Sequence, residues 1–226
     1  RANIAIARLA NRADVDDRAG PALFERGQRQ AREQKRCAQV HVDHRGQIVS
    51  ALVGKIAAMM RAGVEKGDMV AAMFWNEHAI VEAIFACARI GAIVAPLNVR
   101  LLPSDVAEYV NDHDCRAIVA NADFTDRFAD AAPTIRIARG ETGDRSWQGY
   151  ETVLAAETNE YLPVTMSFDE PYRLVSTGGT TGKSKGVLHS HVGTLFTVLA
   201  DIAEYGIRRG WQTLSVLPAY HVAGME

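Results

Sequence analysis

The chain has 226 residues, a formal net charge of −2, and 48% hydrophobic against 23% charged residues, a balance that excludes a disordered chain and fits a globular one with a sizeable core. Near neutrality also excludes a general nucleic-acid binder, which needs a basic surface to displace counterions from phosphates. The most apolar window, residues 79–97, is broken by Glu82 and Arg89, so no transmembrane segment of the usual length of about 20 residues is expected.

The opening stretch RANIAIARLANRADVDD has no apolar run behind a basic start, and no signal peptide is expected. Residues 25–47 are rich in Arg, Gln and His and poor in large apolar side chains; such a stretch is hard to bury. Cys37, Cys87 and Cys115 form no CxxC pair and suit thiols of a reducing, cytoplasmic compartment. Across residues 50–63, Leu52, Ile56, Met59 and Met60 recur at helical spacing, with Gly63 as a stop.

The run MVAAMFW, residues 69–75, suits a strand buried on both faces. Asn76 is the expected cap of the next helix, which carries Ile80, Ile84 and Cys87 and ends at Gly91. A second strand is expected in AIVAPL, and Pro103 and Asp105 suit the first turn of a helix bearing Val106, Tyr109 and Val110. RAIVAN supplies a third strand. Arg136, Arg139, Gly140, Gly143 and Asp144 mark a loop, followed by a short helix in SWQGYETVLAAE and a strand in PYRLVST. Gly186, Val187 and Leu188 suit a short strand; Leu195, Val198, Leu199 and Ile202 form a helical stripe behind the cap Ser190, and TLSVLP, residues 213–218, suits one more strand. The alternation implies an α/β fold with largely parallel sheets flanked by helices.

One stretch stands apart, LVSTGGTTGKSKGVLHSH, residues 174–191. Gly178, Gly179, Gly182 and Gly186 let backbone amides approach a ligand with no Cβ in the way, while Thr177, Thr180, Thr181 and Ser184 add hydroxyl donors. Donors converging on a concave loop select an anion, above all the phosphates of a nucleotide, and Lys183 and Lys185 add positive charge. The bland alternative is a solvated Gly-, Ser- and Thr-rich surface loop. Gly182, Lys183 and Ser184 fit the end of a Walker A sequence, but Thr177 stands where that motif needs glycine, and a strand rather than a helix is expected next.

TGGTTGKSKGV resembles the T-[SG]-G-[ST]-T-G-x-P-K-G signature of adenylate-forming enzymes, the superfamily of acyl- and aryl-CoA synthetases, luciferases and peptide-synthetase adenylation domains. Gly178 stands where serine is usual and Ser184 where proline is usual; losing proline costs preorganisation of the loop. The lysine of the signature falls on Lys185, and Lys183 on a variable position. Other segments agree in order. GVEKGDMV, residues 63–70, is similar to the family's G-V-x-x-G-D-x-V, and the stretch ending in PLN, residues 96–98, has the acyl-CoA synthetase form rather than the peptide-synthetase Y-V-P-[LI]-D. LPAYHVAG, residues 217–224, resembles P-x-x-H-x-x-G.

The resemblance covers residues 50–224. It implies an incomplete N-terminal domain of an adenylate-forming enzyme over residues 50–226, behind a poorly matching segment over residues 1–49 that lacks the family's T-Y-x-E-L. An out-of-frame reading of GC-rich DNA yields Arg-, Gln- and His-rich stretches of that kind, and translating the gene in all frames tests the idea.

The implied activity is that of a carboxylic acid–CoA ligase: acyl-adenylate formation from ATP, accompanied by Mg2+, then thioester formation with CoA as substrate. The resemblance assigns Thr177, Gly178, Gly179, Thr180, Thr181, Gly182 and Lys185 to the ATP phosphates, with Lys185 and Thr181 as catalytic residues. It places His221 and Gly224 at the substrate pocket. No metal ligands are expected from the protein; His41, His44, His78 and His113 show no metal-site pairing. The family's later motifs would lie past Glu226, so the chain reads as a fragment expected to be inactive alone. A truncated, non-catalytic nucleotide- or acyl-binding remnant and a P-loop NTPase stay open as alternatives. The acid and any homo-oligomeric state stay open too.

Overall fold

The computed structural model describes residues 60, 63–156, 164–176, 186–208, 211 and 215–225, all within the second of the chain's two units, Cys37–Glu226. Its frame is a seven-stranded sheet in the order β5-β4-β3-β1-β2-β6-β7. The strands are β1 (Met69–Met73), β2 (Ile93–Pro96), β3 (Ala117–Asn121), β4 (Ile135–Arg139), β5 (Gln148–Gly149), β6 (Pro171–Ser176) and β7 (Gly186–Ser190). All neighbours pair in parallel except β6 and β7.

The near-continuous apolar runs make this sheet central because a parallel strand is covered on both faces. Strand periodicity sorts their side chains. Val70, Ala72 and Phe74 join one core with Val94, Ala117, Val119 and Ile137; Ala71 and Met73 join the other with Ile93, Ala95, Ile118 and Ala120. Helix α1 (His78–Ile90) covers the first face with Ala79, Ala83, Ala86 and Ile90, a spacing that keeps them on one side of a 3.6-residue turn. Tyr150, opening α3 (Tyr150–Ala156), joins it there. Helix α2 (Pro103–Asp112) and a 3-10 helix (Ala122–Phe128) cover the second face through Val106, Val110, Phe124 and Phe128.

Several expectations hold: α1 stops at Gly91 in a left-handed conformation, φ 75°, and Pro103 and Asp105 occupy the first turn of α2. The chain enters α4 (His191–Tyr205) through Ser190, whose hydroxyl accepts from the Gly193 amide at 3.2 Å. A four-residue helix, α5 (Val222–Met225), completes the described elements. Of the helix expected over residues 50–63, Met60 is described and helical; the rest lies outside the described residues.

Three expectations are corrected. The cap of α1 is Glu77, not Asn76, because the Asn76 amide is engaged by the distant backbone of Leu217 and Ala219. Arg136 and Arg139 lie on a strand, β4, not in a loop. Ile137 and Ala138 are buried there, while Arg136 Nε donates to the Pro133 carbonyl and its guanidinium lies over the Trp147 ring. The described part of TLSVLP, residues 215–218, is not strand, since its backbone is turned to meet Asn76.

Candidate functional site

The connection that carries the glycines and threonines is pinned at both ends. Strand β6 runs parallel to β2, and its last residue, Ser176, pairs with Gly186 at the start of β7; Val175 faces Val187 and Leu174 faces Leu188. The chain therefore leaves β6 at the edge of the sheet where the parallel strands end, the edge at which open α/β sheets bind ligands. Thr177, Gly178, Gly179, Thr180, Thr181, Gly182 and Lys185 lie outside the described residues. The element after them is a strand, and the next helix waits until His191. Gly186 has its own reason to be glycine, because a Cβ there would come within 2.5 Å of Leu174 Cδ1.

Beneath that hairpin is a band of rings. Tyr172 stacks on His191 with ring centroids 4.8 Å apart and donates its hydroxyl to Thr194 Oγ1 at 3.1 Å. The buried Arg173 lies over the Tyr172 ring and brings Nη2 to 3.3 Å from His189 Nδ1. Burial holds the His191 imidazole below its ordinary value, with the Glu170 charge opposing that shift. His189 and His191 thus flank the cap Ser190 at the entry to α4.

His221 immediately precedes α5 and Gly224 lies within it, joined by one tight set of backbone bonds. The His221 amide donates to the Pro218 carbonyl at 3.0 Å, and the Gly224 amide donates to the His221 carbonyl at 2.9 Å. A Cβ on Gly224 would sit 2.2 Å from the Pro218 oxygen, so glycine is required by the close approach of backbone to backbone. The His221 side chain is exposed. Asn76, just past β1, grips this turn from the sheet: its Nδ2 donates to the Leu217 carbonyl at 2.7 Å and its Oδ1 accepts from the Ala219 amide at 2.7 Å. Sequence reasoning missed this role because the partners are 141 and 143 positions away, beyond any local signal.

The carboxyl ends of β1 and β3 form the point where successive connections leave the sheet in opposite directions. It is occupied by the chain's own groups. Glu77 pairs with Arg139 and accepts from Asn121 Nδ2 at 3.2 Å, while Trp75 Nε1 donates to Asp123 Oδ2 at 2.8 Å and its ring lies 4.7 Å from that of Phe124. Among the described residues no group of three or more His, Cys, Asp or Glu gathers to hold a metal ion. Nor, among them, is any helix long and apolar enough to cross a membrane. Burial pushes the Cys87 and Cys115 thiols up to about 12, which leaves them protonated and unsuited to nucleophilic work.

A family model described as AMP-binding enzyme matches residues 28–226, a span that includes most of the Arg-, Gln- and His-rich stretch. An indoleacetate–CoA ligase from Aromatoleum aromaticum is 27% identical over 184 residues, covering 79% of this chain and 36% of its own length. A long-chain-fatty-acid–CoA ligase FadD13 from Mycobacterium tuberculosis is 25% identical over 185 residues, covering 78% of this chain and 35% of its own length. The chain therefore spans about a third of the length of the curated relatives it matches. Among solved structures, a putative long-chain-fatty-acid CoA ligase from Rhodopseudomonas palustris superposes with a TM-score of 0.72 at 24% identity, covering 87% of this chain and 53% of that one.

Proposed function

This chain belongs to the AMP-binding enzyme family, and from that premise we propose that it carries the triphosphate-gripping portion of an ATP-dependent carboxylic acid–CoA ligase. The observation that carries the reading is the β6–β7 hairpin. Its hydrogen-bonded ends, Ser176 and Gly186, present the glycine- and threonine-rich connection at the ligand-binding edge of a parallel sheet. The relatives' names, indoleacetate–CoA ligase and long-chain-fatty-acid–CoA ligase, support the reaction class. They differ in the acid, which leaves the acid of this chain unassigned.

In such a reaction a carboxylate oxygen forms a bond to the α-phosphorus of ATP while the bond to the bridging oxygen of the β-phosphate breaks and pyrophosphate leaves. The CoA thiolate then attacks the acyl carbon and displaces AMP. The first step brings an anion to an anionic centre as charge builds on the leaving group, so fixed donors and cations govern the rate. In this chain the backbone amides of Gly178, Gly179 and Gly182 and the hydroxyls of Thr177, Thr180 and Thr181 would hold the outer phosphates. Lys185 would neutralise the charge that develops there. Magnesium enters as MgATP, held by phosphate oxygens. His221 and Gly224 would form part of the acyl wall.

A P-loop NTPase is the second reading, and the strand after the connection weighs against it, since a Walker loop runs straight into a helix whose first turn holds its lysine. Calorimetric titration of the chain with MgATP tests both. The ligase reading expects saturable binding that Lys185→Ala weakens at least about tenfold, the loss of one charge-assisted contact, while Lys183→Ala changes little. The reverse pattern would establish the Walker reading. Because the chain spans about a third of its relatives' length, the isolated chain is expected to give no robust ATP–pyrophosphate exchange with a panel of carboxylic acids.

A further inference from the structure

We propose that Asn76 is a positioning residue that fixes the orientation of His221 at the acyl wall. The proposal rests on the assignment of His221 to that wall, but its geometry stands apart from the phosphate loop. A primary amide is a planar group with a donor and an acceptor side by side. Asn76 uses one of each on a single turn, donating to the Leu217 carbonyl and accepting from the Ala219 amide, both at 2.7 Å. Two bonds from one rigid plane to residues two apart set the turn's direction as well as its distance.

Both ends of this linkage are stiff. On the sheet side, Met73 and Phe74 are buried, and the next residue but one to Phe74 is Asn76 itself; Glu77 then caps α1 and is held by Arg139 and Asn121. On the far side, the Pro218–His221 and His221–Gly224 backbone bonds close the turn, and the Pro218 oxygen lies where a Gly224 Cβ would be. Ala219 packs against the core that α1 covers. A rotation of the turn about Asn76 would swing His221 with it, because only Tyr220 separates His221 from Ala219 and the Pro218–His221 backbone bond spans it.

No other common side chain makes both bonds from this position. Asp accepts from Ala219 but has no hydrogen for Leu217; Ala removes the side-chain partner of both backbone groups; Gln carries the amide one methylene too far. The expected order of disturbance at His221 is therefore Ala greatest, Asp and Gln smaller.

The test is to follow the histidine ring resonances of the full chain by NMR in the wild type and in Asn76→Ala, Asn76→Asp and Asn76→Gln, with thermal melts alongside. The proposal expects the His221 ring signals to move in all three, most in the alanine variant, while those of His113, His189 and His191 stay in place. Should Asn76→Ala fail to fold, the aspartate and glutamine variants carry the comparison. A lowered Tm with His221 unmoved, or equal movement of every histidine, would overturn it by showing a general staple in place of a positioning residue. No nucleotide is needed, so failure of the chain to bind MgATP would refute the phosphate reading and leave this result standing.

Discussion

The edge strand β7, with the helix α4 that follows it, belongs to the same sheet as its neighbours but differs in what covers it: Tyr172–Val175 of β6 are buried, whereas residues 186–188 of β7 are exposed. Every residue of β2 is buried, and α1 contributes Ala79, Ile80, Ala83, Ala86, Cys87 and Ile90 to the core. Helix α4 carries an equally clear apolar stripe and buries none of it: Phe196 is 68% exposed and Leu199 50%. On β7, Val187 and Leu188 are exposed as well. An apolar stripe at helical spacing thus reports a capacity for burial, and only tertiary packing decides whether the capacity is used. The covered strands form the frame, and β7 opens directly after the connection proposed to bind phosphate.

Mutation should separate the two regions sharply. Phe128, fully buried and edge-on to Trp147, should lose about 3–5 kcal/mol of stability on truncation to alanine, whereas Leu199→Ala on the exposed stripe should cost less than about 0.5 kcal/mol; urea unfolding of both checks this. Comparable losses would mean that α4 is covered in solution. A smaller effect tests the polar content of the covered half. Tyr150 donates its hydroxyl to Glu82, both groups being buried, so Tyr150→Phe leaves a buried carboxyl oxygen without its donor and should cost about 1–3 kcal/mol. Replacing the pair together by Phe and Gln should recover part of the loss.

The smallest effect concerns the entry to α4. His191 at the start of α4 has its protonation disfavoured by burial. Its folded value lies below the ordinary imidazole value of about 6.5, so above that pH both states are neutral there and the residue contributes no pH dependence. As pH falls below it, the unfolded chain takes up the proton first and stability declines until the folded value is passed. Melting curves between pH 7.5 and pH 5, on the order of the range in which an imidazole titrates, should show a shallower decline in His191→Phe, which keeps the stacking on Tyr172.

Elements whose signals are local were legible in the sequence. The all-apolar strands β1, β2 and β3, the stop at Gly91, the proline-led start of α2 and the Ser190 cap are all set by residues within a turn of the feature they produce. The expectation of a strand directly after the glycine-rich connection also holds in β7. Strand β4 was hidden because Arg136 and Arg139 read as solvated loop residues. Their guanidinium groups are instead accommodated by Trp147 and Glu77, partners contributed by other segments. Asn76 shows the same limit: its residue type signals a cap, and only the folded chain brings residues 217–219 within its reach. Of the candidate site, the strands on either side of the connection lie where the sequence led one to expect them, while the turn that holds His221 became clear only from tertiary hydrogen bonds.

The sheet offers two places for an anionic nucleotide, and they make opposite predictions. The crevice between the ends of β1 and β3 is where open α/β sheets commonly bind ligands, but here it is taken up by the pairing of Glu77 with Arg139 and Asn121 and of Trp75 with Asp123. The connection between Ser176 and Gly186 carries the donors suited to phosphate. Titrating the 15N-labelled chain with MgATP and following its backbone amides decides between them. The account predicts saturable shifts of the Gly178, Gly179 and Gly182 amides, which in Lys185→Ala need at least about tenfold more MgATP to reach saturation. Shifts confined to the amides of Asn76, Glu77 and Asn121, with those three glycines unmoved, would contradict it.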